Sequence, residues 1–263
     1  MKILFTYFSW FFTITSGKPA GQNHQRAIAP GAKRLYKKTM PKIFVKICGI
    51  TQPAQGRDIA TLGGDAIGLV FAKSPRKVTT TTAREIVGGL PDGFPTVGVF
   101  VNSTPDEINT VITETGIRYV QLHGSEPPKI LAEINAPCIK VFTMRGENWL
   151  AEIRAFLDVP GENKSENKPG NLAAVLIDTY NPTLAGGTGE SFDWNSVGEA
   201  RSGGGMDGLP PLVLAGGLKP ENIAQAIKLV NPWGVDVSSG VESEPGIKDM
   251  DKVEAFIKAV REN

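Results

Sequence analysis

Short runs rich in Val, Ile and Phe alternate along this chain with longer segments whose apolar residues recur every three or four positions. The short runs have the continuous apolar character of strands buried on both faces of a parallel sheet. The longer ones have the single apolar stripe of surface helices. The strand runs are IFVKIC (Ile43 to Cys48), AIGLVF (Ala66 to Phe71), TVGVFV (Thr96 to Val101), RYVQL (Arg118 to Leu122), CIKVF (Cys138 to Phe142), AAVLID (Ala173 to Asp178), LVLAG (Leu212 to Gly216) and GVDVS (Gly234 to Ser238).

Each run is followed by a helical pattern. Pro53 to Leu62 closes at Gly63-Gly64, and Thr82 to Val87 closes at Gly88-Gly89. Thr104-Pro105-Asp106-Glu107 reads as a helix start, with an N-cap residue, Pro at the first helical position and acids in the first turn. A fourth helix is expected from near Glu126-Pro127, a fifth over Trp149 to Leu157, and a short sixth from Asp193. The seventh is expected over Pro220 to Leu229 with Pro at its first position. The last, Asp249 to Val260, puts Val253, Phe256, Ile257 and Val260 on one face. Strict strand–helix alternation, eight times over, predicts an α/β protein forming a single (β/α)8 TIM barrel; a doubly wound sheet is the alternative. Two polar stretches, Gly161 to Gly170 and Arg201 to Gly208, break the rhythm and read as exposed, mobile insertions.

The front of the chain does not share this pattern. Its first sixteen residues, MKILFTYFSWFFTITS, are mostly apolar and aromatic. They fall short of the ~20 apolar residues a spanning helix needs, and Ser and Thr interrupt them. No Asp or Glu occurs before Asp58, and Gly17 to Lys38 is basic and aperiodic. Residues 1–39 are therefore expected to lie outside the fold as a disordered extension, with residues 40–263 forming the catalytic barrel. Met40 is the expected natural start, and a plastid transit or other targeting peptide is the competing reading of the extension. A cytoplasmic location is expected if Met40 is the start.

The 263 residues contain 28 Lys+Arg against 27 Asp+Glu, a balance that offers no electrostatic footprint for nucleic acid. Seven of those bases (Lys2, Lys18, Arg26, Lys33, Arg34, Lys37, Lys38) precede Met40, so the remainder carries 28 − 7 = 21 against 27 and is mildly acidic. Two cysteines, Cys48 and Cys138, exclude a disulfide scaffold and a multi-cysteine zinc cage. No His/Cys/Asp/Glu cluster has metal-ligand spacing, and no GxGxxG precedes a helix, so neither a metal nor a nucleotide cofactor is expected. The expected partner is a small phosphorylated molecule, without nucleic acid or membrane, for a monomer or homodimer.

In a barrel of this kind the site lies at the carboxyl ends of the strands. Polar groups collect there. Gly216-Gly217 after strand seven and Ser238-Ser239-Gly240 after strand eight suit a phosphate, because glycine lets backbone N–H groups approach an anion. Cys48 ends strand one, with Lys46 on the same face by the two-residue period; a nearby cation is expected to lower the thiol pKa. An inert core thiol is the bland alternative. Asp178 caps an apolar run, where an unpaired carboxylate is costly, and so suits a proton donor. Arg76 presents a planar fork for a carboxylate. His123 reads as a packed histidine, and Cys138, at the opposite end of the barrel, as core.

Eight segments in order resemble the phosphoribosylanthranilate isomerases. They are KICGIT (Lys46 to Thr51), GLVFAKSPRKV (Gly68 to Val78), VGVFVN (Val97 to Asn102), VQLHGSE (Val120 to Glu126), LIDT (Leu176 to Thr179), GGTGESFDW (Gly186 to Trp194), LAGGLKPENI (Leu214 to Ile223) and VDVSSGVESEPGIKD (Val235 to Asp249). The resemblance covers the chain from about Pro41 onwards. It implies a (β/α)8 barrel of tryptophan biosynthesis that carries out an Amadori rearrangement without metal or cofactor. It further implies Cys48 as general base, Asp178 as general acid, Arg76 on the anthranilate carboxylate, and the GG and SSG loops on the phosphate. The stretch from Tyr180 to Gly189 then reads as a mobile cover. Two rivals remain: another phosphate-binding barrel isomerase of amino-acid biosynthesis, where a carboxylate is expected in place of Cys48, and a silent barrel kept for binding. A chain beginning at Met40 is expected to be fully active; loss of folding on that truncation would show the extension to be structural.

Overall fold

The computed structural model describes residues 43–144, 147–158, 171–178 and 194–263. Eight parallel strands close into a barrel in chain order: β1 (Phe44–Cys48), β2 (Ala66–Val70), β3 (Thr96–Phe100), β4 (Tyr119–Leu122), β5 (Cys138–Thr143), β6 (Leu172–Asp178), β7 (Leu212–Ala215) and β8 (Gly234–Val237). Around them lie α1 (Pro53–Leu62), α2 (Thr80–Gly88), α3 (Pro105–Thr115), α4 (Trp149–Leu157), α5 (Trp194–Ser202), α6 (Ile223–Val230) and α7 (Met250–Arg261). A hairpin of β9 (Glu242–Glu244) and β10 (Ile247–Lys248) sits between β8 and α7. The expected fold class is the one observed.

Alternation along the strands decides which side chains meet. Val45 and Ile47 of β1, Ile67 and Leu69 of β2, Val120 and Leu122 of β4, Val175 and Ile177 of β6, and Val235 and Val237 of β8 belong to one large apolar cluster. The same cluster takes Ile59, Ile86, Ile108, Ile153, Val197, Ile227 and Phe256 from the helices. This outer layer holds the fold together, at roughly 1.5–3 kcal/mol for each fully buried aliphatic or aromatic side chain. The residues in between point into the barrel. Hence Lys46, Cys48, Gln121, Asp178 and Asp236 face the axis.

Local chemistry explains the ends of several elements. Thr104 and Glu107 form a capping box at the start of α3, and Gly116 closes that helix in the left-handed conformation. Asp249 is the N-cap of α7, accepting hydrogen bonds from the N–H groups of Asp251 and Lys252.

The fourth connection differs from expectation. Glu126 does not start a helix; its carboxylate accepts N–H bonds from Asn102 and Gly124 and an ion pair from Lys140 at 2.6 Å. Only a short 3-10 turn, Pro128–Ala132, follows. After β7 the helix begins at Ile223, three positions beyond Pro220. The intervening turn is held by Asn222, whose side chain accepts from the Lys219 N–H and donates to the Gly217 carbonyl. The stretch from Arg201 to Gly208 is not a free insertion. Met206 is buried in the core, and Arg154 donates to the Gly205 carbonyl at 2.6 Å. The other polar stretch, Gly161 to Gly170, and the expected cover lie outside the described residues.

The end of the barrel away from the strand carboxyl termini is tied by Arg261 of the last helix. Its guanidinium donates to the carbonyls of Ile43 and Gly63 and pairs with Asp65 at 2.6 Å; Asp65 in turn accepts the Val45 N–H. Replacing Arg261→Ala is expected to lower unfolding stability by about 1–3 kcal/mol while leaving kcat unchanged. Denaturant unfolding with unaltered stability would show that this clamp contributes nothing.

Candidate active site

The β1–β8 seam sets the first part of the site. Lys46 and Asp236 are register partners across it, and the ammonium meets both carboxylate oxygens, at 2.8 and 2.9 Å. Both are buried, Lys46 to 2% exposure. Lys46 Nζ and the Cys48 thiol lie on the same face of β1, by the two-residue period, and close enough to influence each other's charge. Space for this group is made by Gly68 on β2. A methyl there would stand 2.6 Å from Cys48 Sγ and 3.1 Å from Lys46 Nζ. Sequence reasoning passed over Gly68 and Asp236. Asp236 was visible as a lone acid among valines, but its partner depends on which strand closes the barrel.

Charge balance at the seam corrects one expectation. The Cys48 thiol is pushed up, not down. Burial is the largest cause, Asp236 adds to it, and Lys46 and Lys248 only partly offset them. Burial also opposes the charge on Lys46, but Asp236 and then Cys48 more than compensate, so the ammonium is held above its ordinary value. Asp236 is raised, by burial first and against the pull of Lys46. Lys46, expected to bind substrate, is buried and paired with Asp236.

Asp178 ends β6 and, like Cys48, points inward at the carboxyl end of its strand. Two strands, β7 and β8, separate β6 from β1 on the short way round the barrel. His123 is not a packed histidine. It is 34% exposed at the mouth, with Nε2 3.7 Å from Asp178 Oδ2 and Nδ1 3.4 Å from the Gln121 amide.

Arg76, in the loop after β2, is half-buried. Its Nε donates to Glu242 Oε1 at 2.8 Å and its Nη2 to Oε2 at 2.6 Å. One edge of the expected fork is thus taken, which leaves the Nη1–Nη2 end for a ligand. Glu242 also accepts from Lys248 at 2.7 Å. Burial would raise Glu242, but hydrogen bonds from Arg76 and Lys248 bring it down to about 2, so it is a carboxylate at any working pH.

The glycine loop after β7 and the serine loop after β8 lie against each other. Gly216 and Gly217 hold φ of 90° and 60°, a left-handed backbone open to glycine. Gly240 lies so close to the β7 loop that a methyl group on it would overlap the Leu218 carbonyl oxygen. Ser239 begins a 3-10 turn, Ser239–Val241, after the Ser238 corner. Two backbone corners thus lie in contact at the ends of the last two strands, where barrels of this kind commonly take an anion. Among the described residues, no group of three or more His, Cys, Asp or Glu is placed to hold a metal ion. Among them, too, no helix is long and apolar enough to cross a membrane. Cys138 is core, as expected: its thiol donates to the Ala136 carbonyl, and burial pushes it up to about 12.

An inward thiol and carboxylate at the carboxyl ends of their strands, an arginine in the loop after β2 and two touching backbone corners after β7 and β8 are groups that an acid–base isomerase on a (β/α)8 barrel can use. Residues 45–259 match the family described as N-(5'-phosphoribosyl)anthranilate (PRA) isomerase, and the chain belongs to that family. An enzyme of that name from Pseudomonas putida is 41% identical over 225 residues, spanning 85% of this chain and all of the relative. The crystal structure of phosphoribosyl anthranilate isomerase from Thermotoga maritima superposes with a TM-score of 0.71 at 37% identity, covering 84% of this chain and all of the other. A second isomerase structure, in complex with reduced 1-(o-carboxyphenylamino)-1-deoxyribulose 5-phosphate, superposes with a TM-score of 0.68 at 34% identity, again over 84% of this chain and all of that one.

Because the Cys48 pKa is raised, alkylation by iodoacetamide is expected to be slow at neutral pH and still climbing above the pKa of a free thiol. Lys46→Met, which removes the cation, is expected to slow it further. A rate that levels off below pH 8 would contradict this account of the thiol.

Proposed function

We propose that this chain converts N-(5'-phosphoribosyl)anthranilate to 1-(2-carboxyphenylamino)-1-deoxyribulose 5-phosphate, with Cys48 as general base and Asp178 as general acid. The observation that carries the reading is that these two groups face inward over the mouth that also holds the anion cradle. The substrate has a phosphate at one end and a ring carboxylate at the other. The cradle of Gly216, Gly217, Ser238, Ser239 and Gly240 takes the phosphate through backbone N–H groups, and the Nη1–Nη2 end of Arg76 takes the carboxylate.

The chemistry then needs two proton transfers. Asp178 gives a proton to the ribose ring oxygen. The C1′–O bond breaks, and the nitrogen lone pair forms a C1′=N iminium. That cation acidifies the C2′ hydrogen. Cys48 thiolate removes it, the freed electron pair forms C1′=C2′, and the iminium nitrogen is neutralised. The enolamine tautomerises to the ketone. The iminium is the electron sink, so the residues have only protons to move.

A raised thiol pKa fits this task in one respect. The thiolate, once formed, is a stronger base than an ordinary cysteine, and the Lys46 ammonium on the same strand face favours its charge. Lys46 thus acts through Cys48. His123, facing Asp178, sits where it can hand the acid its proton.

The test is growth of a tryptophan auxotroph lacking this isomerase. The intact chain is expected to rescue it, whereas Cys48→Ser and Asp178→Asn each lower kcat by about a hundredfold or more and fail to rescue. Soluble wild-type protein that gives no rescue would sink the assignment. Turnover of the histidine-pathway aminoaldose in place of this substrate would favour the rival isomerase.

A further inference from the structure

The hairpin after β8 has no place in the proton transfers, yet it is held on every side. At its turn, the Gly246 carbonyl accepts hydrogen bonds from Thr51 Oγ1 at 2.6 Å and Gln55 Nε2 at 3.3 Å. Those residues follow Cys48 in the loop after β1 and the start of α1. At its base, Lys252 of α7 donates to the Glu242 carbonyl at 3.0 Å. Across the hairpin, Glu242 and Lys248 are register partners. Lys248 is fully buried at 0% side-chain exposure; its ammonium reaches both Glu242 Oε1 at 2.7 Å and the Ser238 carbonyl at 3.0 Å.

This arrangement is unusual for a residue beside an anion site. Glu242 stands next to Arg76, where its charge weakens attraction for a second carboxylate. Lys248 restores the balance, since Arg76, Glu242 and Lys248 together carry a net single positive charge. Glu242 also does what a free arginine cannot. A guanidinium on a flexible stem loses rotamer freedom when a ligand fixes it, and a partner that holds it beforehand removes that loss.

We infer that Glu242 is a positioning residue for substrate recognition: it grips the Nε–Nη2 edge of Arg76 so that the Nη1–Nη2 end meets the substrate carboxylate, and through Lys248 it ties that end to the phosphate loop at Ser238. The hairpin then sets the spacing between the two anion sites. It selects substrates that carry a carboxylate at the right distance from a phosphate. This inference rests on the reading that Arg76 takes the carboxylate.

The probes are reduced 1-(o-carboxyphenylamino)-1-deoxyribulose 5-phosphate and the same compound without its ring carboxylate. Glu242→Gln is expected to weaken the first about tenfold or more and to leave the second within about twofold of wild type. In turnover, KM rises more than kcat falls. Arg76→Met shows the same selectivity, and adding Glu242→Gln to it brings no further loss. Should Glu242→Gln fail to fold, Glu242→Asp keeps the charge but breaks the two-pronged contact, and the same selective loss is expected. Lys248→Met is expected to weaken inorganic phosphate together with the carboxylated probe. If Glu242→Gln affects both probes equally, or neither, while Arg76→Met discriminates between them, the inference is overturned. If Arg76→Met fails to discriminate, the carboxylate reading falls, and the inference with it. Unchanged phosphate binding in Lys248→Met would break the proposed tie to Ser238.

Discussion

A lysine and an aspartate meet where the last strand of the barrel closes on the first, and the site is arranged around them. Lys46 and Asp236 are both buried, so neither tolerates losing the other; removing one partner of such a pair costs about 3–5 kcal/mol because a charge is stranded away from water. That constraint reaches Cys48, two residues along β1 on the same face, because the Lys46 charge acts on its thiol. It reaches β2 as well, where only a residue without a side chain leaves room for the sulfur and the ammonium together. Strand register, charge pairing and the reactive thiol are one packing problem.

The barrel handles its polar residues in separate compartments. The axis holds Lys46, Asp236, Cys48 and Asp178 with Gln121. The rim holds the Arg76–Glu242–Lys248 group. A third group lies in the outer layer: Lys140 pairs with Glu126, donates to the Gly124 carbonyl and stands 5.9 Å from the centre of the Phe156 ring. Glu126 reaches on to the Asn102 N–H, while the Asn102 side chain accepts from the Ser125 N–H. These bonds stiffen the loops after β3 and β4, and so the segment that carries His123. Burial would raise Glu126, yet the Lys140 bond and the backbone N–H bonds hold it below the ordinary carboxylate range. The charges on the axis and those of the outer layer are kept apart by the sheet itself, since alternate residues of one strand point to opposite faces.

Much of this was legible in residues alone. Every strand run lies where its hydrophobic content put it, because a strand buried on both faces must be apolar throughout. The ends of those runs pointed to Cys48, Asp178 and the loops at Gly216-Gly217 and Ser238-Ser239-Gly240, all of which lie at the carboxyl end of the barrel. The misreadings have a common cause. Glu126-Pro127 looked like a helix start, but a lysine on the neighbouring strand claimed the glutamate. Pro220 looked like a first helical residue, but Asn222 folded the preceding segment into a turn. Met206 sat in a polar stretch, but the core took it. In each case a distant partner outweighed local preference.

The sequence by itself determined the strand–helix rhythm, the parallel sheet for which eight such units favour a closed barrel, and the end of the strands where polar groups collect. Periodicity is a local property, so it survives without knowledge of neighbours. Tertiary structure decided the rest: that Asp236 pairs with Lys46, that Glu242 grips Arg76, that His123 faces Asp178, and that Cys48 lies too deep for its cation to lower its pKa. Those facts turn on which side chains of remote segments are brought to one place and how far that place is shielded from water. Strand order and register set that place, and no single stretch of the chain contains it.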